Sequence, residues 1–139
     1  MAMTATARRV GMGLRHSVEV NGRHTIITDE PERLGGSDLG PAPHELLAAT
    51  LASCVATMMA MYAQNRGWDI GETAVDVDYD PESDPRRFVI DLHLPNDLTP
   101  DQQRRLERVA ETCPVRRALE SGFTFEERAI TAPAPSAVA

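Results

Sequence analysis

Two periodicities of apolar positions divide the chain into strands and helices. Residues 15–20 and 23–28 alternate between apolar and polar side chains on either side of Asn21-Gly22, a pair that favours a tight turn and therefore predicts a β-hairpin. Three further segments alternate in the same way and are predicted as strands: residues 73–79, 87–94 and 123–130. Between them lie segments with the spacing of helices.

The longest predicted helix runs from Pro43 to about Asn65, with Gly67 as its stop. Apolar residues cover nearly its whole circumference, which indicates burial on all sides. One small domain can hardly enclose such a helix, so the pattern favours a dimer. Small polar residues such as Thr50 and Ser53 interrupt the apolar run, which is typical of a helix in a protein core and not of a membrane span.

Two shorter helices follow the second pair of strands. Thr99 is predicted as the N-cap of the first helix, with Pro100 at its first position. Pro114 begins the second helix and Gly122 ends it. We therefore expect a single α+β domain over residues 1–130 and a disordered tail over residues 131–139.

Composition and charge narrow the classes of function. The 139 residues carry a net charge of −7, which argues against a nucleic-acid surface. All the basic residues are arginines, so no lysine chemistry is available. The N-terminus has no apolar run typical of a signal peptide, and the cysteine and histidine spacings match no zinc motif. We expect a cytoplasmic protein that binds neither membranes nor a metal, and that needs no cofactor.

The two cysteines are the strongest candidates for chemistry. Cys113 comes directly before Pro114, at the predicted start of a helix, where the dipole and the nearby Arg116 and Arg117 favour a thiolate. Cys54 lies within the apolar helix, where a cysteine is most often a small hydrophobic residue and where burial raises the pKa of a thiol. A reactive Cys54 would need a cation nearby.

Charged residues elsewhere are weaker candidates. His44 and Glu45 begin the long helix, about 15 Å along the helix axis from Cys54 of the same helix. They could meet a thiol only across a dimer interface or through a bend in the helix. Glu45 could serve only as a favourable charge at the helix start. Arg15 and Arg23 lie on the hairpin, from which either could reach the long helix, although strand arginines are usually solvated.

Three motifs together resemble the OsmC/Ohr family of thiol-dependent peroxidases. They are the loop GGSDLGPAP, the helix segment PHELLAATLASC and the helix start CPVRRAL. The resemblance extends from about Arg15 to Ile130. The resemblance is greater to the OsmC-like subgroup than to the organic hydroperoxide reductases. It implies an intertwined homodimer in which the long helices are buried at the interface.

The resemblance also implies roles for individual residues. Cys54 matches the peroxidatic cysteine, which attacks an organic hydroperoxide and becomes a sulfenic acid. Cys113 matches the resolving cysteine, which then forms a disulfide with it. A dithiol, of the lipoyl type in the family, restores the enzyme, and no metal or bound cofactor takes part.

The chain departs from the family at the activating residues. The peroxidases place a glutamate directly after the loop proline, where it holds a catalytic arginine; here that position is His44, and Glu45 lies one residue further on. Arg15 is nearest to the position of the arginine, and Arg23 is the alternative. His44 therefore also favours a second hypothesis, in which the same fold binds a small hydrophobic ligand in a pocket at the dimer interface. A structural disulfide is a third interpretation.

Overall fold

A computed structural model describes residues 2–131 of the chain. An antiparallel sheet of three strands in the order β1-β2-β3 comes first: β1 Ala5–Arg9, β2 His16–Val20 and β3 His24–Thr28. After a short 3-10 turn at Glu32–Leu34 come the remaining elements: α1 Glu45–Arg66, β4 Ala74–Asp80, β5 Arg87–His93, α2 Pro100–Ala110 and α3 Pro114–Ser121. The predicted α+β class and the hairpin of β2 and β3 are confirmed.

Helix boundaries follow the capping signals in the sequence. Gly67 ends α1 in the left-handed conformation, with φ of 69°, which glycine adopts without steric strain. Thr99 caps α2 through a reciprocal pair of hydrogen bonds with Gln102. Gly122 ends α3, also with positive φ. The long helix begins at Glu45, two residues later than predicted, because Pro43 and His44 form a turn ahead of it.

The core lies between one face of α1 and four other elements. Strands β4 and β5 pair antiparallel and turn alternate apolar side chains inward, while Asp76 and Asp78 on β4 face outward. Helices α2 and α3 pack beside this pair of strands on α1. On α1 itself, one stripe at helical spacing is fully buried: Leu51, Val55, Met59 and Ala63.

Much apolar surface is left uncovered within one chain. Outside the buried stripe, the side chains of α1 are partly or fully exposed, including Leu47 and Met61. The N-terminal sheet makes its extensive contacts only within itself, as far as the described residues show, and Ile26 and Ile27 on β3 are exposed. The expectation that α1 is buried on all sides is therefore not met by a single copy of the chain. The helix α1 is long and apolar enough to cross a membrane. The core helix of a water-soluble protein meets the same two criteria.

The predicted last strand, over residues 123–130, does not form. This segment has neither helix nor strand, and Phe123, Phe125 and Ile130 are exposed. An alternating segment becomes a strand only when its backbone pairs with a neighbouring strand, and no strand among the described residues pairs with this segment. The predicted disordered tail lies outside the described residues from position 132 onward.

A buried carboxylate organises the loop that leads into α1. Asp29 is 2% exposed. One of its oxygens accepts the backbone N–H of Glu30 at 2.8 Å, and the other accepts those of Ser37 and Leu39 at 3.3 and 3.2 Å. Burial alone would raise the pKa of Asp29, but these N–H groups and the charge of Arg15 hold it below its ordinary value.

The glycines of the loop allow its backbone to close around this carboxylate. A Cβ on Gly36 would lie 1.9 Å from the carbonyl oxygen of Glu30, and a Cβ on Gly40 would lie 2.4 Å from that of Ile27. Any other residue at either position would have to displace backbone atoms. The motif GGSDLGP therefore has a structural reason that does not depend on chemistry.

We expect Asp29→Asn to destabilise the protein at neutral pH, because the amide would direct a donor at N–H groups that now meet an acceptor. A carboxyl with a lowered pKa stabilises the fold above its unfolded pKa, close to 3.8, and this contribution is lost as the pH falls through the folded value. In urea unfolding at pH 7, the free energy of unfolding of Asp29→Asn should be lower than that of the wild type. At pH 3 this difference should be smaller. Asp38→Asn is the matched control, since Asp38 is exposed and already has positive φ, which asparagine tolerates. Equal stability of the two variants at pH 7 would contradict this role of Asp29.

Candidate active site

Cys113 occupies the N-cap of α3. Pro114 takes the first helical position, and the Cys113 sulfur accepts the backbone N–H of Arg116 at 3.5 Å. The side chain is 0% exposed and belongs to a buried cluster with Leu51 and Val55 of α1. The predicted position of Cys113 at a helix start is confirmed, and its thiol points from that start into the protein core.

Cys54 lies on α1 beside the buried stripe and is half-buried. It packs against the same apolar cluster, and its thiol is close enough to interact with that of Cys113. The structure therefore brings together the two cysteines that the sequence singles out, although they lie 59 positions apart (113 − 54). This proximity comes from the packing of α3 on α1.

Three influences act on the Cys54 thiol. Burial raises its pKa, and the adjacent Cys113 raises it further, while the backbone N–H of Val115 opposes both. The net effect is a raised pKa, so the thiol form is favoured at neutral pH. None of these influences is an arginine, in the part of the chain that the structure describes.

The first turn of α3 thus faces both sulfurs. The N–H of Val115 acts on Cys54 and that of Arg116 donates to Cys113. Amides at a helix start stabilise negative charge, so a thiolate on either cysteine would meet a favourable donor. Sequence reasoning assigned this role only to Cys113, because the contact between Val115 and Cys54 depends on tertiary packing.

His44 and Glu45 lie together at the start of α1, away from the thiols along the helix. The Glu45 carboxylate accepts the backbone N–H of Ala42 at 3.4 Å, which is the capping contact expected of a charge at a helix start. His44 meets the ring of Tyr79 edge-on, with 5.2 Å between ring centres. These two residues line a cavity of about 380 Å³ together with Ala48, Tyr79 and Pro81.

The two hairpin arginines occupy different settings. Arg15 is half-buried and lines a small cavity with Asp29, whose pKa its charge helps to lower. Arg23 is exposed in the turn between β2 and β3. In one copy of the chain, the extensive contacts of α1 are with β4, α2 and α3, so neither arginine is brought to Cys54 by the N-terminal sheet.

A third cavity adjoins the apolar cluster that contains the thiols. Its volume is about 550 Å³, within the usual range for small-molecule sites. Leu51, Phe88 and Ile90 form part of its wall and also belong to the apolar cluster around the cysteines. Arg86 also lines it, together with Arg116 and Glu120, which form an ion pair at 2.9 Å. Sequence reasoning did not select these residues, because the pairing of β4 with β5 and the packing of α3 create the cavity.

The motif pattern and the fold define a class of protein. The description of the family model that matches residues 35–128 is OsmC-like protein, and the chain belongs to the OsmC family. Among the described residues, no group of three or more histidine, cysteine or acidic side chains is arranged to hold a metal ion.

Relatives and solved structures agree with this assignment. An uncharacterised protein of Haloferax volcanii is 33% identical over 86 residues, which cover 59% of this chain and 65% of that protein, just under two thirds of its length. A crystal structure from Psychrobacter arcticus, provisionally described as an osmotic stress induced and detoxification response protein, is 31% identical. It has a TM-score of 0.70, over 82% of this chain and 85% of that one.

An organic hydroperoxide resistance protein from Legionella pneumophila shares the fold. It is 22% identical, with a TM-score of 0.60 over 86% of this chain and 89% of that one. At this identity the likeness concerns the architecture alone. The predicted OsmC/Ohr-like α+β fold is thereby confirmed, and the arrangement of two copies is a separate question.

Proposed function

We propose that this protein reduces organic hydroperoxides through Cys54 and Cys113. The observation that supports this most directly is the meeting of the two thiols at the first turn of α3, inside an apolar cluster. Neighbouring thiols can pass between dithiol and disulfide when their Cα atoms lie within about 7 Å. Membership of a family in which some structural neighbours are named for resistance to organic hydroperoxides supports the choice of oxidant.

The proposed cycle begins at Cys54. Its thiolate attacks one peroxide oxygen; the S–O bond forms, the O–O bond breaks, and the alcohol leaves after taking a proton. Cys113 then attacks the sulfenic acid, so that a disulfide forms and water leaves. An external dithiol, of the lipoyl type in the family, reduces the disulfide and is itself oxidised. The reducing cytoplasm is the compartment in which such a cycle would operate.

The lining of the cavity that adjoins the apolar cluster favours the binding of apolar substrates. Leu51, Phe88 and Ile90, which pack in the same apolar cluster as the cysteines, offer hydrocarbon surface in this cavity, and burying an alkyl group there stabilises a complex by about 0.8 kcal/mol per methylene. Hydrogen peroxide has no such group. An organic hydroperoxide is therefore the better ligand on physical grounds.

A second copy of the chain completes the proposed site. The exposed face of α1 and the exposed residues of β3 both need an apolar cover, and the raised pKa of Cys54 needs a cation. An intertwined homodimer would supply both if the N-terminal sheet of one copy lies on α1 of the other. Arg15 is our candidate for the cation. Asp29, which lies near it, would hold it in place of the glutamate that the family has at the position of His44.

Turnover measurements test the enzymatic proposal. Wild-type protein should consume cumene hydroperoxide in the presence of dihydrolipoamide, and faster than it consumes hydrogen peroxide. Cys54→Ser should remove turnover, because no sulfenic acid can form. Cys113→Ser should retain a single fast turnover and then slow down, because the sulfenic acid is no longer resolved within the chain. Full activity of Cys54→Ser would contradict the proposal.

The cation can be tested by comparing Arg15→Gln with Arg23→Gln. A cation within about 4–6 Å lowers a thiol pKa by 1–3 units, so its loss should slow the reaction of Cys54 with cumene hydroperoxide at pH 7 by at least about tenfold. The same loss should move the pH midpoint of Cys54 alkylation upward. Arg23→Gln should leave the reaction rate and the pH midpoint of alkylation unchanged, since Arg23 is an exposed turn residue. Unfolding curves would show whether Arg15→Gln acts through stability instead, and similar rates in the two folded variants would contradict the role of Arg15.

One observation favours a second candidate function, the binding of a small apolar ligand. The cavity at His44 has an aromatic wall, because Tyr79 stacks on Phe88 with 4.6 Å between ring centres while it meets His44 edge-on. A ligand that raises the melting temperature equally before and after alkylation of both cysteines, in a protein without peroxide turnover, would favour this function over the peroxidase.

A further inference from the structure

The two sulfurs of the candidate site differ in their access to solvent. Cys113 is 0% exposed in a single copy of the chain, and a second copy could only cover it further. Cys54 is half-buried, on the side of α1 that the chain itself leaves open. Exchange between a thiol and a disulfide requires the attacking thiolate to reach one sulfur directly. Within one copy of the chain only Cys54 meets this requirement, and the dimer proposed above has to leave a path to its sulfur.

The two sulfurs also differ in their fitness to leave. Exchange is faster when the departing thiolate is stabilised. Cys113 caps α3, and the N–H of Arg116 already donates to its sulfur at 3.5 Å. A negative charge that develops on this sulfur would strengthen the existing hydrogen bond and would lie at the positive end of the helix dipole.

We propose that the external reductant attacks the Cys54 sulfur and that Cys113 is the leaving group. A new S–S bond forms between the reductant and Cys54, the Cys54–Cys113 bond breaks, and its electron pair remains on Cys113 as a thiolate. The second thiol of the reductant then displaces Cys54 and closes the oxidised dithiol. This inference rests on the proposed function, since it concerns the reductive half of that cycle, and it makes the N-terminus of α3 a positioning element for reduction.

The mixed disulfide can be located without using a peroxide. Reduced wild-type protein is oxidised with diamide and freed of the excess reagent. It is then exposed briefly to 2-mercaptoethanol, quenched with acid and alkylated. Cleavage after arginine separates the two cysteines into peptides 34–66 and 109–116, which mass spectrometry distinguishes. We expect the mercaptoethanol adduct on peptide 34–66 and the alkyl group on peptide 109–116.

The opposite labelling, with the adduct on peptide 109–116, would overturn the direction of attack and leave the peroxidase proposal intact. Failure of diamide to form any disulfide within the chain would overturn both. As an independent measurement, 5,5′-dithiobis(2-nitrobenzoate) should react with the reduced Cys113→Ser variant at least about tenfold faster than with Cys54→Ser, because only the former retains the accessible thiol. Equal rates in the two folded variants would count against the proposal.

Discussion

The contact between the first turn of α3 and the middle of α1 is the interaction on which the candidate chemistry depends. It buries Cys113, places Cys54 beside it and directs two backbone amides at the two sulfurs. Cys54 has an ordinary setting within α1, whereas Cys113 is the N-cap of α3. Their combination creates a site in which each thiol changes the chemistry of the other, and in which the same helix start can stabilise negative charge on either sulfur in turn.

A second constraint is the incomplete cover of α1. Strands β4 and β5 with helices α2 and α3 bury one stripe of the helix, and within the described residues the N-terminal sheet makes no extensive contact with the remainder. The chemistry is incomplete in the same way, because the pKa of Cys54 is raised and, among the described residues, no cation acts to lower it. Apolar cover and positive charge are thus missing from the same side of the helix, and one partner could supply both.

The elements with strong local signals were predictable from the sequence. Asn21-Gly22 predicted the hairpin, Gly67 predicted the end of α1, and Thr99 with Pro100 predicted the start of α2. Each of these signals depends only on the backbone conformation of the residues that carry it. The segment 123–130 was predicted wrongly as a strand, because an alternating pattern indicates a preference for extended backbone but does not show which strand would pair with it. In the site, the N-cap position of Cys113 could be predicted from Pro114. Three other features could not, because they depend on packing between distant segments: the effect of the Val115 amide on Cys54, the burial of Asp29, and the place of Phe88 in the cavity wall.

The central claim is that Cys54 and Cys113 act as one redox pair toward an organic hydroperoxide. The most direct test is the intact mass of the fully reduced protein, with a count of its free thiols, after one equivalent of cumene hydroperoxide. We expect each chain to lose two hydrogen atoms and both free thiols, and neither cysteine-to-serine variant to show this pair of changes. An unchanged mass with two free thiols would contradict the account and would direct attention to the cavity at His44.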